Sequence, residues 1–297
     1  MATEDVSIRY RDLETWPMAE AVEAMWEAHL SAIAAVGEAV PAIALAASAA
    51  AQRLGGRGRL IYAGAGTSGR VAVQDGAELS PTFGWPEDRV VFLLAGGDAA
   101  MLRSVEGAED DRAAARSGIS DARVNERDVL IAVAASGSTP FTTETLAGAH
   151  TRGALTIAVA NNADALLFQK ADHRIFIPTG SEVIAGSTRM KAGAAQKVAL
   201  SLLSTAIMMR LGGVYQGMMV GMRPANAKLR ARAVRMVMRI SGCGEEAAHG
   251  ALALSGYDVK LAAMLASGAS LDDGRKLLAD ANGHLRDALA HVRNARQ

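Results

Sequence analysis

Two short turns rich in glycine and hydroxyl side chains offer the clearest chemistry in this sequence. In chain order they contain Gly66, Thr67 and Ser68, and then Ser136, Gly137, Ser138 and Thr139. Glycine lets a backbone bend sharply and come close to a ligand. Each turn lies between a short apolar run and a helical pattern, so free N–H groups at the start of the helix can face an anion. The two turns therefore predict a site for a terminal phosphate group.

Other interpretations of these turns stay open. Gly64, Gly66 and Gly69 match the G-x-G-x-x-G fingerprint of dinucleotide-binding proteins. That fingerprint also requires an acidic residue at the end of the next strand, and Asp98 comes late for this role. A tight strand-to-helix connection, or a helix N-cap without any ligand, would use the same residue types. The recurrence of the pattern after two strands favours a ligand site, because ligands bind at that edge of open α/β sheets.

Two glutamates near these turns are candidate proton-transfer groups. Glu78 lies shortly before Pro81, and Glu109 begins an acidic run with Asp110 and Asp111. A glutamate acts as a general acid or base once its surroundings tune its pKa. In the alternative interpretation, Glu78 ends a helix and Glu109 is one of several solvated surface acids.

A further polar segment precedes a long helical pattern. Ser187 or Thr188 could cap this helix. Arg189 and Lys191 lie close to the helix start, where a cation opposes the helix dipole. This placement is easier to understand if an anion or a carboxylate lies nearby, and we expect Glu182 and Ser187 among the substrate-binding residues. Alternatively, the two cations simply lie at the surface.

The elements that must position these residues follow from the apolar pattern. Short apolar runs, flanked by turn residues, occupy residues 59–63, 89–94, 128–133, 154–159 and 173–177. Continuous apolar runs are typical of strands that are buried on both faces of a parallel sheet. Helical patterns fill most of the gaps. The sequence therefore predicts an α/β fold with a doubly wound, mainly parallel five-stranded sheet flanked by helices.

The same pattern divides the chain into three predicted parts. They are an N-terminal helical segment that packs on the core (1–58), the α/β domain (59–225) and a small C-terminal helical appendage (226–297). Long helices are predicted over residues 18–54 and 187–211. Three short helices are predicted in the appendage, over residues 245–254, 259–266 and 271–280.

Composition excludes several classes of function. The chain has 31 Lys and Arg against 31 Asp and Glu, so no net charge gathers nucleic acid or an anionic membrane. Cys243 is the only cysteine, and the opening residues do not resemble a signal peptide, which together indicate the cytoplasm. The alanine-rich stretch at residues 32–51 favours a helix of a soluble protein over a membrane span. The six histidines are scattered, and no metal site is predicted.

Several stretches together resemble the N-acetylmuramic acid 6-phosphate etherase family, which is built on the sugar isomerase (SIS) fold. The specific ones are the block from GAGTSGR to GAEL at residues 64–79 and EVIAGSTRMKAGAAQK at residues 182–197. DVLIAVAASGSTPF at residues 128–141 is also similar, and the resemblance covers about residues 60–237. It implies a lyase that needs no metal or organic cofactor and acts on a sugar phosphate.

The resemblance also implies roles for individual residues. The family's proton-donating glutamate falls on Glu78, and its second active-site glutamate falls on Glu109. Ser68 and the turn at residues 136–139 are expected to hold the phosphate. Family members are homodimers with sites near the subunit boundary, so a second copy of the chain is the expected partner. The implied pathway is the recovery of cell-wall amino sugars.

Two alternatives within the same fold remain. A ketose–aldose phosphate isomerase would also need a glutamate base beside an opened sugar. A sensor without catalytic activity would bind the phosphosugar and regulate a partner protein. The presence of both Glu78 and Glu109 favours catalysis over the sensor.

Overall fold

The computed structural model describes residues 2–294, and a five-stranded parallel sheet lies at its centre. The strands are β1 (Leu60–Gly64), β2 (Val90–Leu94), β3 (Val129–Val133), β4 (Leu155–Ala160) and β5 (His173–Phe176). Every pair of neighbouring strands is parallel. β1, β3 and β4 are buried at every residue, as their unbroken apolar runs predict. The predicted fold class is confirmed.

The order of the strands determines where a ligand can bind. It is β2-β1-β3-β4-β5, so the chain first moves outward from β1 to β2 and then returns past β1 to β3. The direction of winding therefore reverses between β1 and β3. In open α/β sheets a crevice forms outside the carboxyl ends of the strands at this reversal point. The two glycine-rich turns follow these two strands.

Helices surround the sheet and form the rest of the chain. They are α1 (Met18–Leu54), α2 (Gly66–Ala77), α3 (Leu79–Phe83), α4 (Arg112–Asp121), α5 (Pro140–Thr151), α6 (Lys191–Arg210), α7 (Ala227–Ser241), α8 (Glu245–Leu254), α9 (Val259–Ala266), α10 (Leu271–Asp280) and α11 (Leu285–Asn294). The predicted limits of α1, α8, α9 and α10 are confirmed. The helix predicted over residues 187–211 begins later, at Lys191, because turns occupy the residues before it.

Alternate residues of β1 point to different helices, as the pleat of a strand requires. Ile61 joins an apolar cluster with Ile119 of α4 and Leu146 of α5. On the opposite face, the Tyr62 hydroxyl donates to the Asp75 carboxylate of α2 over 3.0 Å. Ser204 of α6 donates to the other oxygen of that carboxylate over 3.1 Å. The helices α4 and α5 therefore lie on one face of the sheet, and α2 lies on the other with α6 packed beside it.

The long helix α1 packs along β3, β4 and β5. Its buried positions recur every three or four residues and are mostly alanine, which allows close approach to the sheet. By length and apolar composition alone, α1 and α6 could each cross a membrane. The regular buried stripe of α1 is instead typical of a helix that lies on a protein core.

The chain divides into two compact units. The first comprises Met1–Ala77 and Asp88–Ala206, and it contains the sheet with the helices packed on it. The second comprises Glu78–Glu87 and Ile207–Gln297. It has its own apolar core, in which Val237 of α7, Ala248 of α8 and Met264 of α9 are buried.

Candidate functional site

A cavity of about 350 Å³ lies at the carboxyl ends of β1 and β3, where the winding of the sheet reverses. This volume is within the range of pockets for small ligands. Its walls come from the two glycine-rich turns, from a short acidic segment and from residues near both ends of the first unit. The lining residues are Glu4, Ala65, Gly66, Thr67, Ser68, Glu109, Asp110, Ala134, Ala135, Ser136, Ser138, Thr139, Pro140, Gly186 and Thr188.

The first turn joins β1 directly to α2. Gly66 begins the helix with a φ of +52°, a conformation that side chains other than glycine rarely adopt. A Cβ on Gly69 would lie 2.8 Å from the backbone of Gly64, so the helix approaches the strand closely. This connection presents Thr67 and the buried Ser68 to the cavity in the first turn of α2, where backbone N–H groups lack partners within the helix.

The second turn joins β3 to α5 in a similar way. Gly137 has a φ of +70°, and a Cβ there would lie 2.1 Å from the Cβ of Ala165. The Ser136 hydroxyl accepts a hydrogen bond from the backbone N–H of Ser138 over 3.2 Å. Pro140 occupies the first turn of α5, where its missing N–H costs no helix hydrogen bond. The N-terminal ends of α2 and α5 therefore both open on the cavity, and their dipoles favour an anion there.

The acidic run 109–111 has divided functions. Gly107, with a φ of +70°, leads into a 3-10 turn at Ala108–Asp110. Glu109 and Asp110 are exposed and line the cavity. The Asp111 side chain instead caps α4, because it accepts a hydrogen bond from the Ala114 N–H over 2.8 Å. The structure thus brings Glu109 together with both hydroxyl-bearing turns.

Glu78 lies elsewhere in the chain. It directly follows the last residue of α2, precedes α3 and is exposed. It is not among the residues that line the cavity, and it belongs to the second compact unit. Its role in catalysis stays a prediction.

Glu182 and Lys191 form a buried structural pair at the start of α6. The Glu182 carboxylate is fully buried and accepts hydrogen bonds from the backbone N–H groups of Lys191 and Ala192, at 2.8 and 2.9 Å. It takes the capping position that the sequence suggested for Ser187 or Thr188. Burial lowers the pKa of Lys191, and the Glu182 carboxylate opposes this shift. Glu182 is therefore the carboxylate that accompanies a cation at this helix start.

Neither Glu182 nor Ser187 lines the cavity, whereas their neighbours Gly186 and Thr188 do. Gly137 also lies outside the lining, between two residues that form it. Sequence reasoning did not place Glu4 among the site residues, because the N-terminal residues show no periodicity and no glycine-rich turn. Their place at the cavity depends on contacts that are distant in sequence.

The cavity wall has a distinct chemical character. It carries three carboxylates, on Glu4, Glu109 and Asp110, and the described lining contains no Lys or Arg. An anionic ligand would have to be held by hydroxyl groups and helix N–H groups. Within residues 2–294, no group of three or more His, Cys, Asp or Glu side chains is arranged to hold a metal ion.

Comparisons with known proteins agree with this fold. Residues 42–150 match the glucokinase regulatory protein N-terminal SIS domain, and residues 112–206 match the SIS domain. A phosphoheptose isomerase from Francisella tularensis has the same fold, with a TM-score of 0.50 and 19% identity. The similarity covers 65% of this chain and 100% of that chain.

Relatives of similar length are more informative. An N-acetylmuramic acid 6-phosphate etherase from Deinococcus radiodurans is 45% identical over 288 residues, covering 97% of this chain and 94% of that protein. An etherase of the same name from Streptomyces avermitilis is 41% identical over 291 residues, covering 98% of this chain and 94% of that protein. Identity of this extent leaves one family assignment: the chain belongs to the N-acetylmuramic acid 6-phosphate etherase family.

Proposed function

We propose that this chain is a lyase that cleaves the D-lactyl ether of N-acetylmuramic acid 6-phosphate. The products are D-lactate and N-acetylglucosamine 6-phosphate. The observation that carries this proposal is the cavity that combines two hydroxyl-lined helix starts with Glu109, in a chain 45% identical to an etherase over nearly its whole length. The reaction serves the recovery of cell-wall amino sugars in the cytoplasm.

The phosphate group binds between the two turns. Ser68, Ser136, Ser138 and Thr139 donate hydroxyl hydrogen bonds, and the N-terminal ends of α2 and α5 stabilise the negative charge. Hydrogen bonds to a charged group are each stronger than those between neutral groups. This arrangement holds an anion without a cationic side chain in the described lining.

The chemistry begins after the sugar ring opens to an aldehyde. A glutamate removes the proton at carbon 2, which the adjacent aldehyde has made acidic. The electron pair forms a double bond between carbons 2 and 3, and the ether oxygen leaves with lactate and takes a proton from an acid. Water then adds across this bond, with hydroxyl going to carbon 3 and a proton to carbon 2. The substrate's own aldehyde stabilises the carbanion, so no cofactor is needed.

The two glutamates take different steps in this scheme. Glu78 matches the family's proton-donating residue, which assigns the proton at carbon 2 to Glu109. Glu109 is supported by its position in the cavity wall. Glu78 is supported by the family resemblance alone. Which copy of the chain supplies Glu78 to a given cavity depends on how two copies associate.

A second copy of the chain is the expected partner, and α1 offers a surface for it. Val22, Trp26, Leu30, Ile33 and Val40 are all large, apolar and exposed. At about 100° per residue they lie within one arc of roughly 80°, away from the buried alanine face. Covering such a stripe favours association of two copies.

The length of α2 suggests that two copies also share the site. α2 has twelve residues and begins at the cavity. With a rise of about 1.5 Å per residue, its far end lies about 18 Å from its start. Glu78 comes directly after that far end, so it would serve the cavity of a second copy rather than the cavity of its own chain.

The test is an assay of purified protein with N-acetylmuramic acid 6-phosphate, in which released D-lactate is measured. We expect stoichiometric release of D-lactate and N-acetylglucosamine 6-phosphate. Interconversion of an aldose and a ketose phosphate without lactate would indicate the isomerase instead. Binding of the substrate without any turnover would indicate the sensor.

A further inference from the structure

Thr3, near the N-terminal end of the described residues, is hydrogen-bonded to two loops at the carboxyl edge of the sheet. Thr3 is fully buried, and its hydroxyl accepts a hydrogen bond from the Asn162 side-chain amide over 3.1 Å. The Thr3 carbonyl accepts a second hydrogen bond from the Gly186 N–H over 3.0 Å. Asn162 also donates to the carbonyl of Ala135, which lines the cavity, over 2.9 Å. Thr3 is thus held by two loops that border the site.

This attachment places the next residue, Glu4, in the cavity wall. A Cβ added to Gly186 would lie 2.9 Å from Glu4 Oε2, so the carboxylate lies close to the backbone of Gly186. Further along the segment, Leu13 is buried against Ala24 of α1 and Met190. The segment is therefore anchored on both sides of Glu4.

The chemistry of Glu4 differs from that of the turns opposite. An ionised carboxylate only accepts hydrogen bonds. It repels the phosphate and the lactyl carboxylate of the substrate, whereas it can accept hydrogen bonds from the hydroxyl groups of the sugar. We infer that Glu4 is a substrate-contacting residue that accepts hydrogen bonds from sugar hydroxyls, and that it lets the site distinguish a phosphosugar from phosphate alone. This inference rests on the proposed function, because the turns must hold the phosphate for Glu4 to meet the sugar.

Two probes separate the sugar contact from the phosphate contact. Binding of N-acetylglucosamine 6-phosphate and of inorganic phosphate is measured by calorimetry on the wild-type chain and on Glu4→Ala. We expect Glu4→Ala to weaken binding of the sugar phosphate by about tenfold or more, since a hydrogen bond to a charged group is lost. Binding of inorganic phosphate should not weaken, and it should tighten slightly because a repelling charge is removed. Equal weakening of both probes, or of neither, overturns the inference.

Asp5 provides the matched control. It carries the same charge, is exposed and does not line the cavity. Asp5→Ala should bind both probes as the wild type does. If it weakens the sugar phosphate as much as Glu4→Ala, the effect is one of overall charge, and the contact is refuted.

Thr3→Val tests the attachment without changing the carboxylate. Valine has nearly the shape of threonine but cannot accept the hydrogen bond from Asn162. We expect a raised KM with a Tm close to that of the wild type, because Glu4 is then held less firmly. An unchanged KM shows that the fastening of Thr3 does not position Glu4. If the wild-type chain releases lactate while Glu4→Ala binds the sugar phosphate, and Thr3→Val turns over substrate, as the wild type does, this inference alone is refuted. A wild-type chain that binds neither probe refutes the proposed function as well.

Discussion

The Glu182 carboxylate accepts a hydrogen bond from the backbone N–H of Lys191 over 2.8 Å, at a position where both residues are buried. Together with the bond from Ala192, this contact satisfies two N–H groups that the start of α6 would otherwise leave unpaired. The pair belongs to one of the two sequence motifs that are specific to the family, and its geometry is that of a helix cap.

Removal of this cap should destabilise the protein. Glu182→Ala leaves two buried N–H groups without partners, and we expect a loss of about 1–3 kcal/mol in the free energy of unfolding. Glu182→Gln keeps one acceptor and should lose less. Urea denaturation followed by circular dichroism measures both. A raised KM with unchanged stability would instead support the predicted contact between Glu182 and the substrate.

Loss of a hydroxyl from either turn should weaken phosphate binding. We expect Ser68→Ala and Ser136→Ala each to raise the Kd for inorganic phosphate by about 10- to 150-fold, since each hydrogen bond to a charged group contributes about 1.5–3 kcal/mol. Ser120→Ala, at an exposed site on α4, serves as the control. Calorimetry provides the measurement, and wild-type affinity in both turn variants would place the phosphate elsewhere.

The two glutamates should be needed for turnover but not for binding. Glu78→Gln and Glu109→Gln should each lower kcat by about 10²-fold or more while the substrate still binds. A wild-type rate in either variant would remove that residue from the mechanism.

Mixing these two inactive variants tests whether two copies share a site. After exchange of subunits, roughly a quarter of the wild-type activity should return, because half of randomly paired dimers are mixed and each has one intact site. If both glutamates act within one chain, mixing restores nothing.

The apolar stripe of α1 should be required for pairing. Trp26 is 59% exposed in the single chain. Trp26→Glu places a charge at the centre of the stripe and should yield a folded monomer by light scattering. Glu38→Ala, on another exposed part of α1, should remain a dimer. A dimeric Trp26→Glu protein, or sedimentation of the wild type with lipid vesicles, would show that the stripe has a different partner.

The buried carboxylate of Asp75 should make stability depend on pH. Burial raises its pKa above the ordinary value of 3.8, although Tyr62 and Ser204 donate hydrogen bonds to it. The unfolded chain therefore loses this proton first, so stability falls as pH rises from about 4 through the higher folded pKa. Asp75→Asn removes the charge and should gain stability relative to the wild type at pH 7 but not at pH 3.5.

Urea denaturation at the two pH values tests this, with Asp121→Asn at the exposed end of α4 as control. Other groups titrate alike in all three proteins, so only the difference between variants is used. A difference between Asp75→Asn and the wild type that is the same at both pH values would contradict the shifted pKa.

The class of fold and most of the secondary structure can be predicted from the sequence. Apolar runs such as residues 128–133 report burial of their own segment, and the periodicity of α1 and α8–α10 reports one buried face. Each of these signals depends only on residues that are close together in the sequence, so each one predicts a strand or a helix directly. The glycine-rich turns could be recognised for the same reason, because their conformation depends on neighbouring residues.

Which polar residues share a site depends on contacts between segments that are distant in the chain. Glu109 and Asp111 are two residues apart in the same acidic run, yet one lines the cavity and the other caps α4. Glu4 reaches the cavity because Thr3 bonds to Asn162, which lies 159 residues away in the chain. The residue types around Thr3 do not indicate a hydrogen-bond partner that lies so far away in the chain. The order of the strands and the packing around them bring these residues together.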